Sequence, residues 1–297
     1  MEHRRRDHVS RDLRGVGCRL ERRGDRGLRL GRDPGAASEQ GQASSRRGRG
    51  RATRAVNASL PSVLASLLPS DVKCAEGCPA DLGTSAGLFD AELQAIARAV
   101  PSRRQQYAAT RHLARGLFSE FGLPPQPLLN RPDRSPIWPA GYHGTVTHTD
   151  SWCGVAIASE RTLNGIGIDA ERAKTLELGV VERVLTRGEW RALELAGHDP
   201  LQLGALCFSA KESVYKCVFP SVGRFIGFTE VEIDLDLDGR VFTVRAVDSG
   251  LHASHGATLR ALEGRFEQAA GLWITTAVLP AALRAPEDQP PSSAASP

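Results

Sequence analysis

One stretch leaves this chain little choice of fold. Val231, Ile233, Leu235 and Leu237 alternate strictly with Glu232, Asp234 and Asp236, Asp238-Gly239 follows, and Arg240 to Val247 returns as a second β-rich run. Strict alternation is the period of a half-buried strand, with the acids (Glu230 included) on its wet face. Asp-Gly is a preferred turn between antiparallel strands. Two further runs, Gly144 to Thr149 and Cys153 to Ala158, flank Asp150-Ser151 and predict another hairpin, and Gly165 to Glu171 reads as one more strand. Helical spacing runs from Asp90 to Val100, is interrupted by Pro101, and resumes over about 103–121 until Gly122 closes it. Thr186 with Glu189, and Ser209 with Glu212, fit capping boxes that would open two later helices, the second ending at Pro220. Strands and helices are interspersed without a βαβ repeat, so the expected class is α+β.

The two ends differ from this middle. Residues 1–54 hold 16 Arg and seven acids, so the formal net charge of +4 conceals about −5 on the remainder. The Arg, Gly and Ser of this stretch bury too little apolar surface to offset the entropy of ordering, and 1–58 is expected to be a disordered extension, with 283–297 as a Pro/Ser/Ala tail. Arg clusters attract phosphate, so nucleic-acid binding by the extension is the rival reading. No aromatic residue is interleaved there to stack on bases. No apolar run approaches the roughly 18 residues of a membrane span, and no apolar core follows the basic start as in a secretory signal, so a cytoplasmic protein without a membrane partner is expected. Cys74 and Cys78 lie close together as C-x3-C but have no partner pair at zinc-site spacing.

The residues that carry chemistry lie between. Asp169 and Glu171 are i and i+2 on a strand, hence on one face and about 7 Å apart along the backbone. Two carboxylates held together call for a cation or strong solvation, and hard oxygen ligands suit magnesium. Glu212 and Lys216 are i and i+4 in Phe208-Ser-Ala-Lys-Glu-Ser-Val-Tyr-Lys216 and share a helix face. The chain has only four Lys against 34 Arg, and Lys211 and Lys216 both fall in this run, which suggests a need for compact ammonium donors. Upstream, Arg103 and Arg111 stand about two helical turns apart. Arg134 lies in a Pro-rich loop and His148 in the Gly144 to Thr149 strand. Arg forks suit phosphate oxygens. Gly165-Ile-Gly lacks the third glycine and following helix of a dinucleotide fingerprint.

In this order an Arg-bearing helix, Pro136-Ile-Trp-Pro139, Gly144-Thr-Val-Thr-His-Thr149, Gly167-Ile-Asp-Ala-Glu171 and Ser209-Ala-Lys-Glu212 through Lys216 resemble the 4′-phosphopantetheinyl transferase superfamily over about residues 59 to 280. The pattern is most similar to the larger monomeric type, in the branch of the enterobactin synthase component D proteins. The resemblance implies a pseudo-two-fold pair of α+β subdomains, 59–163 gripping the nucleotide and 164–282 carrying the metal and catalytic motifs, with coenzyme A between them. It implies magnesium on Asp169, Glu171 and Glu212. Arg103, Arg111, Arg134 and His148 would sit on the nucleotide end, with Lys211 and Lys216 on the phosphates and Lys216 assisting the leaving group. The partner would be an acyl or peptidyl carrier protein whose serine attacks coenzyme A and releases 3′,5′-ADP, in siderophore, peptide or polyketide synthesis. Either Glu212 or a metal-bound water would take the serine proton, and the chain would act as a monomer without nucleic acid.

Overall fold

The computed structural model describes residues 62–281. The expected extension 1–58 and tail 283–297 lie outside the described residues. The first part of the chain forms α1 (Val63–Leu67), β1 (Lys73–Gly77), α2 (Pro79–Leu82), α3 (Asp90–Ala95), α4 (Pro101–Glu120), β2 (Tyr142–His148) and β3 (Cys153–Ser159). The second forms β4 (Leu163–Arg172), α5 (Leu178–Val184), α6 (Arg187–Leu195), α7 (Pro200–Val222), a 3₁₀ turn (Phe228–Glu230), β5 (Val231–Asp236), β6 (Val241–Ala246), α8 (Ser249–Arg260), β7 (Glu263–Ala269) and β8 (Leu272–Pro280). Among the described residues no helix is long and apolar enough to cross a membrane.

The strands build two antiparallel sheets, ordered β1-β3-β2 and β4-β8-β7-β6-β5. The class is α+β, as the sequence predicts, with three strands in one sheet and five in the other. Both expected hairpins are present, one pairing Thr147 with Gly154 and the other Ile233 with Val244. β3 is the central strand of the small sheet because both its faces are apolar. Val155 and Ile157 pack on Ala114, Leu117 and Phe118 of α4. Ala156 and Ala158 point the other way, toward Ile166, Ile168 and Ile274 of the large sheet. Pro101 opens α4 at its first position, where a missing N–H removes no helical bond, and Gly122 follows the helix at φ +68°.

Three expectations are corrected. Ser209 does not cap a helix: α7 begins at Pro200, and Asp199 caps it by accepting from the Leu201 N–H at 2.8 Å. Ser209 is fully buried mid-helix, 2.9 Å from the Thr275 hydroxyl. Pro220 does not end the helix, which runs to Val222 and closes on Gly223 at φ +67°. The acidic face of β5 is only partly wet. Glu232 is buried under α6, accepting from the Thr186 hydroxyl at 2.6 Å and paired with Arg245.

The glycines of Gly165-Ile-Gly167 bring α7 against β4. A β-carbon on Gly165 would stand 2.4 Å from the Cys217 carbonyl oxygen, and one on Gly167 only 1.8 Å from that of Ser213. Backbone cannot swing aside as a side chain would. Gly167→Ala is therefore expected to lower stability by about 1–3 kcal/mol. A urea unfolding midpoint equal to that of the unsubstituted protein would show that α7 shifts without cost.

Candidate active site

The contact between α7 and β4 assembles the first half of the site. Asp169 and Glu171 lie on one face of β4, and α7 lays Lys216 over it. The Lys216 ammonium donates to the Ile168 carbonyl at 3.0 Å and to Asp169 Oδ1 at 2.7 Å. From the small sheet, the Thr147 hydroxyl also donates to Asp169 Oδ1, at 3.3 Å, and Thr145 accepts from the Ile168 N–H at 3.1 Å. Asp169 is buried, and its Oδ2 has no hydrogen-bond partner among the described residues.

Glu171 is pushed up to about 8, first by burial and then by the charges of Asp169 and Glu212, against which Lys216 and Lys174 act only weakly. The three expected carboxylates are thus electrostatic neighbours. Among the described residues, however, no three His, Cys, Asp or Glu side chains are already gathered so as to hold a metal ion. What fits a divalent cation is the chemistry of the set. Its donors are hard carboxylate oxygens, one of them buried and unpartnered, and their mutual repulsion lacks sufficient positive charge.

The second half is cationic. Arg103 of α4 contacts His148 Nε2. Burial, then the charges of Arg103, Lys216 and Arg111, push the His148 imidazole down to about 3. It is neutral at physiological pH. The unfolded chain takes up a proton near pH 6.5 that the folded chain refuses until about 3, so stability falls as pH drops through that window. His148→Gln is expected to flatten this loss. Equal acid limbs in pH-dependent melting curves of the two proteins would rule out an imidazole held neutral by the fold.

Arg111 is also buried. It stacks 3.7 Å from the Tyr107 ring centroid and donates to Leu128 O at 3.0 Å, Asn130 Oδ1 at 2.6 Å and Thr110 Oγ1 at 3.2 Å. Three of the five guanidinium N–H groups are thereby used. Arg134 stands exposed at φ +74° on the turn that follows Asn130.

Lys211 corrects the sequence expectation. Its ammonium is buried among Glu189 Oε2 at 2.7 Å, Val184 O at 2.8 Å, Phe228 O at 2.7 Å and Val231 O at 3.1 Å. Four acceptors surround three N–H groups, so none remains for a phosphate. The capping residue Glu189 completes the knot by accepting from the Thr186 and Ile233 N–H groups, each at 2.7 Å. Thr145 and Thr147 were not singled out by the sequence. The available signal was two hydroxyls recurring at strand period beside a histidine.

Comparison with known proteins gives two family matches. Residues 91–158 match the 4′-phosphopantetheinyl transferase N-terminal domain, and residues 165–267 match the 4′-phosphopantetheinyl transferase superfamily. The chain is 37% identical over 190 residues to 4′-phosphopantetheinyl transferase Svp of Streptomyces mobaraensis, covering 63% of this chain and 77% of that one. It is 32% identical to 4′-phosphopantetheinyl transferase PptT of Mycobacterium tuberculosis, over 63% of this chain and 84% of that one. It is also 32% identical to 4′-phosphopantetheinyl transferase Npt of Nocardia iowensis, over 72% of this chain and 98% of that one.

Proposed function

Since this chain belongs to the 4′-phosphopantetheinyl transferase superfamily and is an enzyme of that class, we propose that it moves the phosphopantetheine arm of coenzyme A onto a serine of an acyl or peptidyl carrier protein, with Asp169, Glu171 and Glu212 holding magnesium. The observation that carries the metal assignment is Asp169, whose Oδ1 is held by Lys216 at 2.7 Å while the buried Oδ2 has no partner among the described residues. A divalent ion held by these carboxylates would supply positive charge beside the pyrophosphate of coenzyme A.

The remaining roles belong to the chain's own side chains. Arg103, Arg111 and neutral His148 hold the nucleotide end, with Arg134 at the rim. Lys216, fixed by its two acceptors, keeps one N–H for a phosphate oxygen of the departing 3′,5′-ADP. Glu212 takes the proton of the attacking serine hydroxyl at a carboxylate oxygen. The subdomain limits 59–163 and 164–282 follow from the same reading, with the nucleotide grip on the first and the acids on the second. A carrier from siderophore, peptide or polyketide synthesis is part of the same proposal, and rests on the resemblance of the sequence motifs to the enterobactin synthase component D branch.

Incubating an apo carrier protein with this enzyme, coenzyme A and magnesium is expected to add one phosphopantetheine arm to its intact mass, and a chelator is expected to abolish the gain. No gain with several unrelated carriers would sink the proposal. Arg111→Ala is expected to raise the KM for coenzyme A far more than that for the carrier. Equal increases in both would remove Arg111 from the nucleotide grip.

A further inference from the structure

Strand β2 carries the two halves of the site on its two faces. His148 faces Arg103. Thr145 and Thr147, both buried, face β4, and they grip it at consecutive residues, one accepting from the Ile168 N–H and the other donating to Asp169 Oδ1. We infer that Thr147 is a positioning residue for the divalent-metal site: its hydroxyl fixes the rotation of the Asp169 carboxylate so that Oδ2 is the oxygen presented to the ion. This inference rests on the metal reading of Asp169 proposed above.

The geometry gives the reason. A carboxylate on a short stem turns broadly about its last torsion, and Asp169 has one strong donor nearby, Lys216, on a long stem that is partly exposed. A single flexible donor can follow either oxygen. Thr147 is β-branched, stiff about its first torsion, and carried by a strand pinned to β4 one step away by Thr145. With both donors on Oδ1, turning the carboxylate to offer that oxygen to the ion breaks two bonds at once. The partnerless Oδ2 is the other side of this arrangement. Outer partners that orient a metal ligand in this way typically contribute 10- to 100-fold to metal affinity.

The test is Mn²⁺ binding to the full chain with coenzyme A present, followed by the electron paramagnetic resonance signal of free Mn²⁺. Thr147→Val is expected to weaken binding roughly 10- to 100-fold, and Thr147→Ser, which keeps the hydroxyl, to bind within a few-fold of the unsubstituted protein. Coenzyme A affinity in chelator should be the same in all three. Thr147→Cys, a weak donor of similar size, carries the same comparison if the valine variant does not fold. Unchanged Mn²⁺ affinity in Thr147→Val, or an equal loss in Thr147→Ser, would overturn the positioning role. If the unsubstituted protein and Asp169→Asn bind Mn²⁺ alike, the metal reading itself fails and this inference fails with it.

Discussion

Replacing Glu212 with glutamine is expected to lower turnover by about two to four orders of magnitude, the range over which a positioned acid or base acts. Glutamine has nearly the same shape, and Glu212 is half-buried on α7, one turn before Lys216. The helix, its contact with β4 and the unfolding midpoint should therefore persist. What disappears is the charge that helps raise Glu171 and, in the proposed reaction, the acceptor for the serine proton. Initial rates at saturating coenzyme A and carrier protein measure the effect. A rate near that of the unsubstituted enzyme would remove Glu212 from both the metal and the proton.

Lys211→Ala is expected to act on stability instead, by about 3–5 kcal/mol, because it leaves the buried carboxylate of Glu189 without its cation. The same substitution frees three carbonyl acceptors, on Val184, Phe228 and Val231, around the space the ammonium filled. Chemical denaturation gives the measurement. The double variant Lys211→Met with Glu189→Gln should lose less than the sum of its parts, since the two groups form one network. Variants that remain folded should keep their KM for coenzyme A. A raised KM with an unchanged unfolding midpoint would return Lys211 to the phosphates.

The contrast between Lys211 and Lys216 marks how far the sequence could be read. Scarcity of lysine pointed to the right helix. Five residues on a helix turn through about 140° beyond a full circle, so the two ammonium groups cannot serve one face. Glu212 and Lys216, four apart, can. The start of α7 was hidden for another reason. Leu206, Cys207, Ala210, Val214, Cys217 and Val218 are all buried, so no polar stripe shows the helix period. The true boundary, Asp199-Pro200, was a cap followed by a first-turn proline, and Ser209 offered a competing cap signal. The β5–β6 hairpin was plain because one face of β5 meets the core and its acids alternate with that face. β7 and β8 were missed, although Gly264 and Phe266 alternate in burial with exposed neighbours. The acids, Lys216, Arg103 and His148 were legible as residues. That two threonines tie the strand of one to the strand of the other is a matter of three-dimensional packing, because their strand-period spacing does not say which strand they meet.

The two faces of β2 also set what kinds of change this chain can absorb. Thr147 and His148 are chain neighbours facing opposite ways, so their roles share one register. Deleting a single residue just upstream in β2 would exchange them, setting an imidazole against Asp169 and a hydroxyl among the arginines. No halfway position exists, since a strand slips by whole residues. Insertions in the loop before Tyr142 leave that register intact, whereas a frame of one within 142–148 inverts both halves of the site together.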